Sequence, residues 1–305
     1  MLSNQGGDSV PLLVKPSISL IGAGAAGCAL LVALSRKGYP VAAISSRTLK
    51  SARHCAELVG VNPTPTDNPT AAAAGDIVII ATPDSLIRPL CEEISGKGGF
   101  RQGQLVLHLS GALTSDALTA AAKRGADTCA MHPIQTLAAP LEGARLLESA
   151  WYCLEGTGQG IERARRLAET LSGRVMRIGK SDKALYHAAL CVASNYLVVL
   201  ERVAVEMLAK AGVDPADALP ALMPLIRGAA DNLSDCGLPD ALTGPISRGD
   251  TETVMQHLRA LEEKCGDYLP LYKELGRQAL LIATEKGKMA PGSAAPLLEM
   301  LKTRS

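Results

Sequence analysis

Apolar and polar positions in the first half of the chain alternate between two rhythms. Short β-branched runs, Ile18–Ile21 and Val41–Ser45, are each followed by a helical stretch. The first leads through a glycine turn into an apolar helix from Ala25 to about Lys37, and the second into a helix over Leu49–Val59. The segment from Asp76 to Ala81 is almost purely apolar, as expected when both faces of a parallel sheet are covered. Gln104–Leu109 and Asp127–Met131 read as further strands, with helices near 84–95 and 114–124. Trp151–Leu154 and Arg174–Ile178 read as two last strands around a helix at 160–172. Strand and helix alternating at this pitch predicts an α/β fold built on a doubly wound parallel sheet.

After Gly179 the alternation stops. Ser181 or Asp182 is placed to cap a helix reaching about Lys210, and Gly212 ends it. Pro215–Asn232, Thr251–Lys264, Tyr268–Glu285 and Pro296–Lys302 follow as helices without strand signals. The predicted organisation is a disordered leader over 1–15, an α/β domain over 16–179 (or to near 155 on a narrower boundary), and an all-α domain over 180–305.

The 305 residues are 47% hydrophobic and only 3% aromatic, so the cores must be aliphatic and alanine-rich. Thirty-one basic side chains against 30 acidic ones leave a net charge of +1, which gives no electrostatic footprint for nucleic acid or an anionic membrane. The eight cysteines lie apart, none at zinc-ligand spacing; no metal site is expected, and a reducing compartment is. The opening residues lack the charged start and apolar core of a signal peptide, and the longest apolar stretches carry charges too often for a membrane span. A cytoplasmic location is expected.

Candidate chemistry begins at Gly22-Ala23-Gly24-Ala25-Ala26-Gly27, straight after a strand and at the mouth of an apolar helix. Gly22 permits the tight turn, Gly24 lets backbone approach a diphosphate, and Gly27 lets the helix pack on the sheet. The helix N-terminus supplies amide donors and a positive dipole end. An NAD-preferring site would carry Asp or Glu about twenty residues past the first glycine. This chain has Ser46, Arg47 and Thr48 there, suited to a 2′-phosphate, so NADP(H) is expected and NAD less so. Ala81-Thr82-Pro83 closes another strand and would border the cofactor, while Asp84 is placed to cap the next helix.

Other strand ends and one helix carry the remaining polar candidates. Ser110 follows the strand containing His108, which reads as a satisfied core residue, and His132, Pro133 and Gln135 follow the next strand. His54 and His257 read as surface helix residues. On the long helix, Lys183, His187 and Ser194 fall within about 40° of one another at 100° per residue, with Asn195 beside them. A lysine and a histidine one turn apart can serve as acid and anion anchor. The turn from Leu242 to Asp250 reads as a connector capped by Asp250, with Thr243 and Arg248 as candidate substrate contacts.

With these residues in view, the chain resembles Rossmann-like oxidoreductases whose second half is the helical domain of unknown function 2520. The resemblance covers about residues 16–290 and is carried by Gly22–Gly27, Ala81–Asp84, His108–Gly111, Met131–Pro133, Asp182–His187 with Ser194 and Asn195, and Thr243–Asp250. It implies a Rossmann NADP-binding domain followed by an all-α domain like the C-terminal part of 6-phosphogluconate dehydrogenase. More distantly the layout is similar to pyrroline-5-carboxylate reductase, prephenate dehydrogenase and the β-hydroxyacid dehydrogenases, which implies a homodimer. Ser110 and His132-Pro133 are similar to the strand-end serine and His-Pro of prephenate dehydrogenases. Lys183 matches the lysine that opens the β-hydroxyacid dehydrogenase helix, whereas the asparagine expected four residues later is His187 here.

The expected activity is hydride transfer between NADPH and a small carbonyl or imine substrate bearing a carboxylate. His187 or Lys183 would donate the proton, with His132 and Ser110 orienting the substrate. Two other readings fit the same residues: a non-catalytic NADP-binding sensor or scaffold, and an oxidoreductase using a deazaflavin (coenzyme F420).

Overall fold

The computed structural model describes residues 15–61 and 66–302, so most of the expected leader lies outside the described residues. The chain divides into two compact units, residues 1–191 and 192–305.

Among the described residues the first unit is built on seven strands: β1 (Ile18–Ile21), β2 (Val41–Ser45), β3 (Ile77–Ile80), β4 (Leu105–His108), β5 (Asp127–Pro133), β6 (Trp151–Gly156) and β7 (Arg174–Arg177). Their order across the sheet is β2-β1-β3-β4-β5-β6-β7. The chain leaves β1 for β2 on one side and returns to β3 on the other, so the topological switch point lies between β1 and β3. The helices are α1 (Ala25–Arg36), α2 (Leu49–Val59), α3 (Asn68–Ala74), α4 (Asp84–Gly96), α5 (Thr119–Ala122), α6 (Pro140–Leu147), α7 (Gly158–Thr170) and α8 (Lys183–Leu190). One face of the sheet packs against α1, α2, α6 and α7, and the other against α3, α4 and α5. The two layers are aliphatic and alanine-rich, as the composition requires. Four of the strands, β1, β3, β4 and most of β5, are buried on both faces.

Three features depart from the sequence reading. The sheet is not wholly parallel, because β6 runs antiparallel to β5, pairing Cys129 with Gly156 and Pro133 with Tyr152. Residues 134–150 do not cross the sheet; they keep the chain at the carboxyl end of β5, so β6 must run back. Two short helices, α3 and α6, escaped the periodicity. Helix α3 ends in the run Ala71–Ala74, which has no polar face to mark it, and Asp67 caps it by accepting from Thr70 N at 2.8 Å. Fully buried Gln104 ties α3 to the sheet by donating to the carbonyls of Ala72 and Gly75 at 2.9 and 2.7 Å.

The long helix departs as well. It runs from Lys180 to Lys210, but opens with a 3-10 turn over Lys180–Asp182 and passes through a π-helical stretch at Cys191–Asn195 before α9 (Tyr196–Lys210). Asp182 sits in right-handed helical conformation and its side chain caps nothing. Between Lys183 and Glu201 there is no Asp, Glu, Lys or Arg, and an 18-residue window reaches a mean hydropathy of 1.6. By length and composition this helix could cross a membrane, against the sequence expectation.

The second unit continues with α10 (Pro215–Cys236), α11 (Pro245–Arg248), α12 (Thr251–Lys264), α13 (Leu269–Lys286) and α14 (Ala294–Met300). Asp250 caps α12 by accepting from Thr253 N at 3.0 Å, as its position in the sequence predicts. The core cluster of this unit is small (Val254, Leu280, Leu297 and Leu301), and its helices leave Val198 and Leu225 each 71% exposed.

Candidate functional site

The glycine turn sits at the switch point for reasons of backbone space. Gly22 has φ +98°, and a Cβ there would lie 2.7 Å from the carbonyl oxygen of Ala81. A Cβ on Gly27 would meet the Gly22 carbonyl at 2.6 Å, whereas one on Gly24 would meet nothing within 4 Å. The turn therefore packs tightly beneath and is open above. No side chain caps α1, so its first amides face that open side.

A cleft of about 420 Å³ opens there. Gly22, Ala23, Gly24, Ser46, Arg47, Thr48, Ala81, Thr82 and Pro83 line it, all of them sequence candidates. Ala25, Ala26 and Gly27 lie at the helix start but do not line the cleft; Gly27 acts from below by admitting the Gly22 carbonyl. Ile21, Ser51, Asn68, Leu86 and Leu90 complete the wall and were not foreseen. Thr48 caps α2 by accepting from Ser51 N at 3.2 Å, which brings Ser51 to the same rim. Asn68 belongs to the unforeseen α3. Among the described residues the lining contains no carboxylate, and the buried Thr82 Oγ1 has no hydrogen-bond partner. A polyanionic ligand with hydroxyls fits these residues: uncapped amides, exposed Arg47, three hydroxyl side chains at the rim and one orphaned hydroxyl inside.

A second polar group lies at the carboxyl ends of β4 and β5. Ser110 Oγ donates to Asp84 Oδ2 at 2.7 Å and accepts from Leu113 N at 2.9 Å. Asp84 is the first residue of α4 and caps nothing; Pro83 occupies the cap position, leaving the carboxylate free to take the Ser110 hydroxyl. Lys183 is 1% exposed and donates from Nζ to the Ser110 carbonyl at 3.2 Å. Burial holds its ammonium below the ordinary lysine range, opposed by nearby Cys153, Glu155, Cys129 and Asp84. Lys183 is therefore no solvated first-turn residue. Buried Glu155, on β6, accepts from Ser115 N and Oγ at 2.6 and 2.8 Å and pins the far end of the Ser110 loop.

His108 is fully buried and locks the loop from beneath. Its Nε2 faces the Thr114 carbonyl at 3.1 Å and its Nδ1 takes the Ser110 N–H at 3.2 Å. A carbonyl only accepts and an amide N–H only donates, so the ring is held as the neutral Nε2–H form. Burial lowers its pKa to about 4. His132, half-buried at the end of β5, is also held down to about 4 by burial, then by the charges of Lys183 and His187. Its Nδ1 lies 2.7 Å from the hydroxyl of Tyr186, a residue that sequence reasoning passed over as apolar helix.

Of the predicted site residues, Ser110, His132, Lys183 and His187 come together in the first unit. Gln135 does not; it is exposed and its Oε1 accepts from Thr136 N at 2.9 Å. Ser194 and Asn195 lie in the π stretch, whose wider turn rotates less per residue and breaks the alignment with Lys183 and His187 that the sequence predicts. Thr243 and Arg248 are exposed residues of the second unit, flanking and ending α11.

Comparison with known families and structures fits this geometry. The Rossmann-like domain family matches residues 8–133, and the domain of unknown function DUF2520 matches residues 150–279. The chain joins a Rossmann-like domain to a DUF2520 domain. A proposed NADP oxidoreductase of Bacteroides fragilis is 25% identical, with a TM-score of 0.69 over 87% of this chain and 98% of that one. A protein of Thermotoga maritima is 24% identical, with a TM-score of 0.70 over 88% and 99%. A pyrroline-5-carboxylate reductase of Coxiella burnetii is 20% identical, with a TM-score of 0.59 over 95% and 100%. Comparison with the curated proteins finds no match. In the Rossmann-like domain the cleft lies at the switch point, and the Ser110 loop follows β4, the next strand along the sheet from β3.

Two outcomes follow. Gly22→Ala would force a Cβ onto the Ala81 carbonyl at positive φ; it should cost about 2 kcal/mol or more in a denaturant melt and remove dinucleotide binding. His108 has its pKa depressed from 6.5 to about 4, so the stability it contributes is present above pH 6.5 and lost as pH falls toward 4. Between pH 7.5 and pH 5 that loss amounts to about 2 kcal/mol, and stability curves of His108→Gln should lack it.

Proposed function

We propose that this protein is an NADP-dependent oxidoreductase acting on a small imine or carbonyl compound that carries a carboxylate. One observation supports the reading most: a cleft at the switch point, open above the glycine turn, whose described lining offers Ser46, Arg47, Thr48 and Ser51 and no carboxylate. The amides of the Gly22–Gly27 turn would hold the diphosphate, and Arg47 with its neighbouring hydroxyls would hold the 2′-phosphate. Ala81, Thr82 and Pro83 border the other end, where the orphaned Thr82 hydroxyl would find a partner. When bound, the nicotinamide supplies or takes a hydride. The likeness to the Bacteroides fragilis protein supports the same cofactor, and that to the pyrroline-5-carboxylate reductase supports a C=N substrate.

The protein's own groups would position the substrate and move a proton. Ser110, fixed by Asp84 from one side and by Lys183 through its carbonyl, presents a rigid polar edge. His132 and His187 converge beside it, their ring centroids 6.3 Å apart. The Lys183 cation supplies positive potential for a substrate carboxylate even though its amine points into the fold.

We propose further that the protein is a cytoplasmic homodimer. The long helix exposes Leu185, Val192, Tyr196 and Val198, an apolar surface better covered by a second copy than by lipid, because Lys183 near its start is packed into the sheet domain. Eight unpaired cysteines suit a reducing compartment.

Calorimetry tests the cofactor assignment: NADPH should bind and NADH bind more weakly. Arg47→Ala should weaken NADPH by about 10-fold to 100-fold, as expected for a lost charge-assisted contact, with NADH little changed. Absence of affinity for any dinucleotide, deazaflavin included, would remove the oxidoreductase reading. For the dimer, light scattering should give twice the chain mass, and Val198→Glu should shift it toward the monomer; a monomeric wild type would refute the assembly.

A further inference from the structure

Tyr186 and His132 form the shortest side-chain link between α8 and the strand ends, 2.7 Å from phenol oxygen to Nδ1, with their rings edge-on at 87°. The other nitrogen of His132 faces the opposite way. A Cβ built on Gly111 would lie 3.0 Å from His132 Cε1 and Nε2 and 2.6 Å from His187 Cδ2, so only a glycine lets both imidazoles close on that point of the chain. One face of His132 therefore touches a phenol and the other looks along Gly111 toward His187. Lys183, by contrast, is buried and its amine is directed to the Ser110 carbonyl, with its Nζ 5.5 Å from the centre of the Tyr186 ring.

We propose that Tyr186 is the proton donor of this site and that His132 refills it from the side of His187. The inference rests on the oxidoreductase reading above and names the acid that reading requires. As the substrate double bond takes up hydride at carbon, its electron pair moves onto nitrogen or oxygen. The Tyr186 O–H bond breaks and its proton joins that atom. His132 starts in its Nδ1–H form: its Nδ1–H bond breaks, that hydrogen joins the phenolate oxygen, and Nε2 takes a proton from His187 or from water. Loss of the Nε2 proton and reprotonation of Nδ1 from solvent then return the ring to its starting form. One proton leaves solvent and one enters product in each turnover, so charge balances. The groups facing the pair suit these tasks. Burial, with Lys183, His187 and His108 in the same direction and Asp84 opposing, keeps His132 neutral at pH 7 and able to give and take. Burial and Cys153 hold the Tyr186 phenol above its ordinary range, so it enters each cycle protonated.

The test uses the full-length protein with NADPH and a panel of cyclic imines and 2-oxo acids, following the best-reduced member. Tyr186→Phe should lower kcat by about 100-fold or more while leaving KM and the calorimetric affinity for NADPH within about twofold. A proton inventory in mixed H₂O and D₂O should be curved in the wild type, with two protons in flight, and straight in His132→Gln. Lys183→Met, which fills the same buried space, should lower kcat less than Tyr186→Phe does. A fully active Tyr186→Phe enzyme overturns the relay alone, as does a straight wild-type inventory. If Tyr186→Phe does not fold, the His132→Gln inventory decides. A wild type that binds NADPH but reduces no panel member overturns both the relay and the reading beneath it.

Discussion

A buried ammonium dictates much of the first unit. An amine taken out of water costs several kcal/mol unless it is compensated, and Lys183 is almost completely buried. Its compensation is the Ser110 carbonyl, which obliges the start of α8 to sit against the end of β4. Once Lys183 is seated, Tyr186 and His187, one turn further along α8, are brought to His132. The polar cluster is thus assembled by the demand of one cation for an oxygen.

The Ser110 loop can answer that demand because it is held at several points by backbone-directed bonds. His108 grips both ends of it, Glu155 anchors Ser115 from the antiparallel strand, and Asp84 takes the serine hydroxyl. Each of these polar groups is satisfied, so the loop is stiff. The reversed strand β6 matters here: running antiparallel, it delivers Glu155 to the loop and Cys153 to the surroundings of Tyr186.

Much of the cleft at the switch point was legible from the chain because its requirements are set by backbone. Gly22 and Gly27 are glycines for reasons of contact within a strand–turn–helix unit, and Arg47 is found by counting along the next strand. What sequence hid was direction and partnership. Periodicity reports that β6 is a strand but not which way it runs. Asp84 carries the same signal as a helix cap, and only its tertiary neighbour Ser110 shows that the carboxylate is otherwise engaged. Tyr186 sits in an apolar helix, where a tyrosine reads as core; its position three residues after Lys183 and one before His187 was the available clue. The apolar window on the long helix was missed because Lys183, Glu201 and Arg202 bracket it rather than interrupt it. The π stretch leaves no mark that spacing rules detect, and it undid the alignment expected of Ser194 and Asn195.

The strand order carries a consequence for how this architecture can diversify. Arg47 follows β2, at one edge of the sheet, whereas His132 closes β5, four strands away in the order β2-β1-β3-β4-β5. At a strand spacing of about 4.8 Å, that separates Arg47 from His132 by about 19 Å across the sheet. No side chain bridges that span, so the residues proposed to choose the coenzyme and those proposed to handle protons can drift independently. A lineage built on this sheet can exchange one without retuning the other.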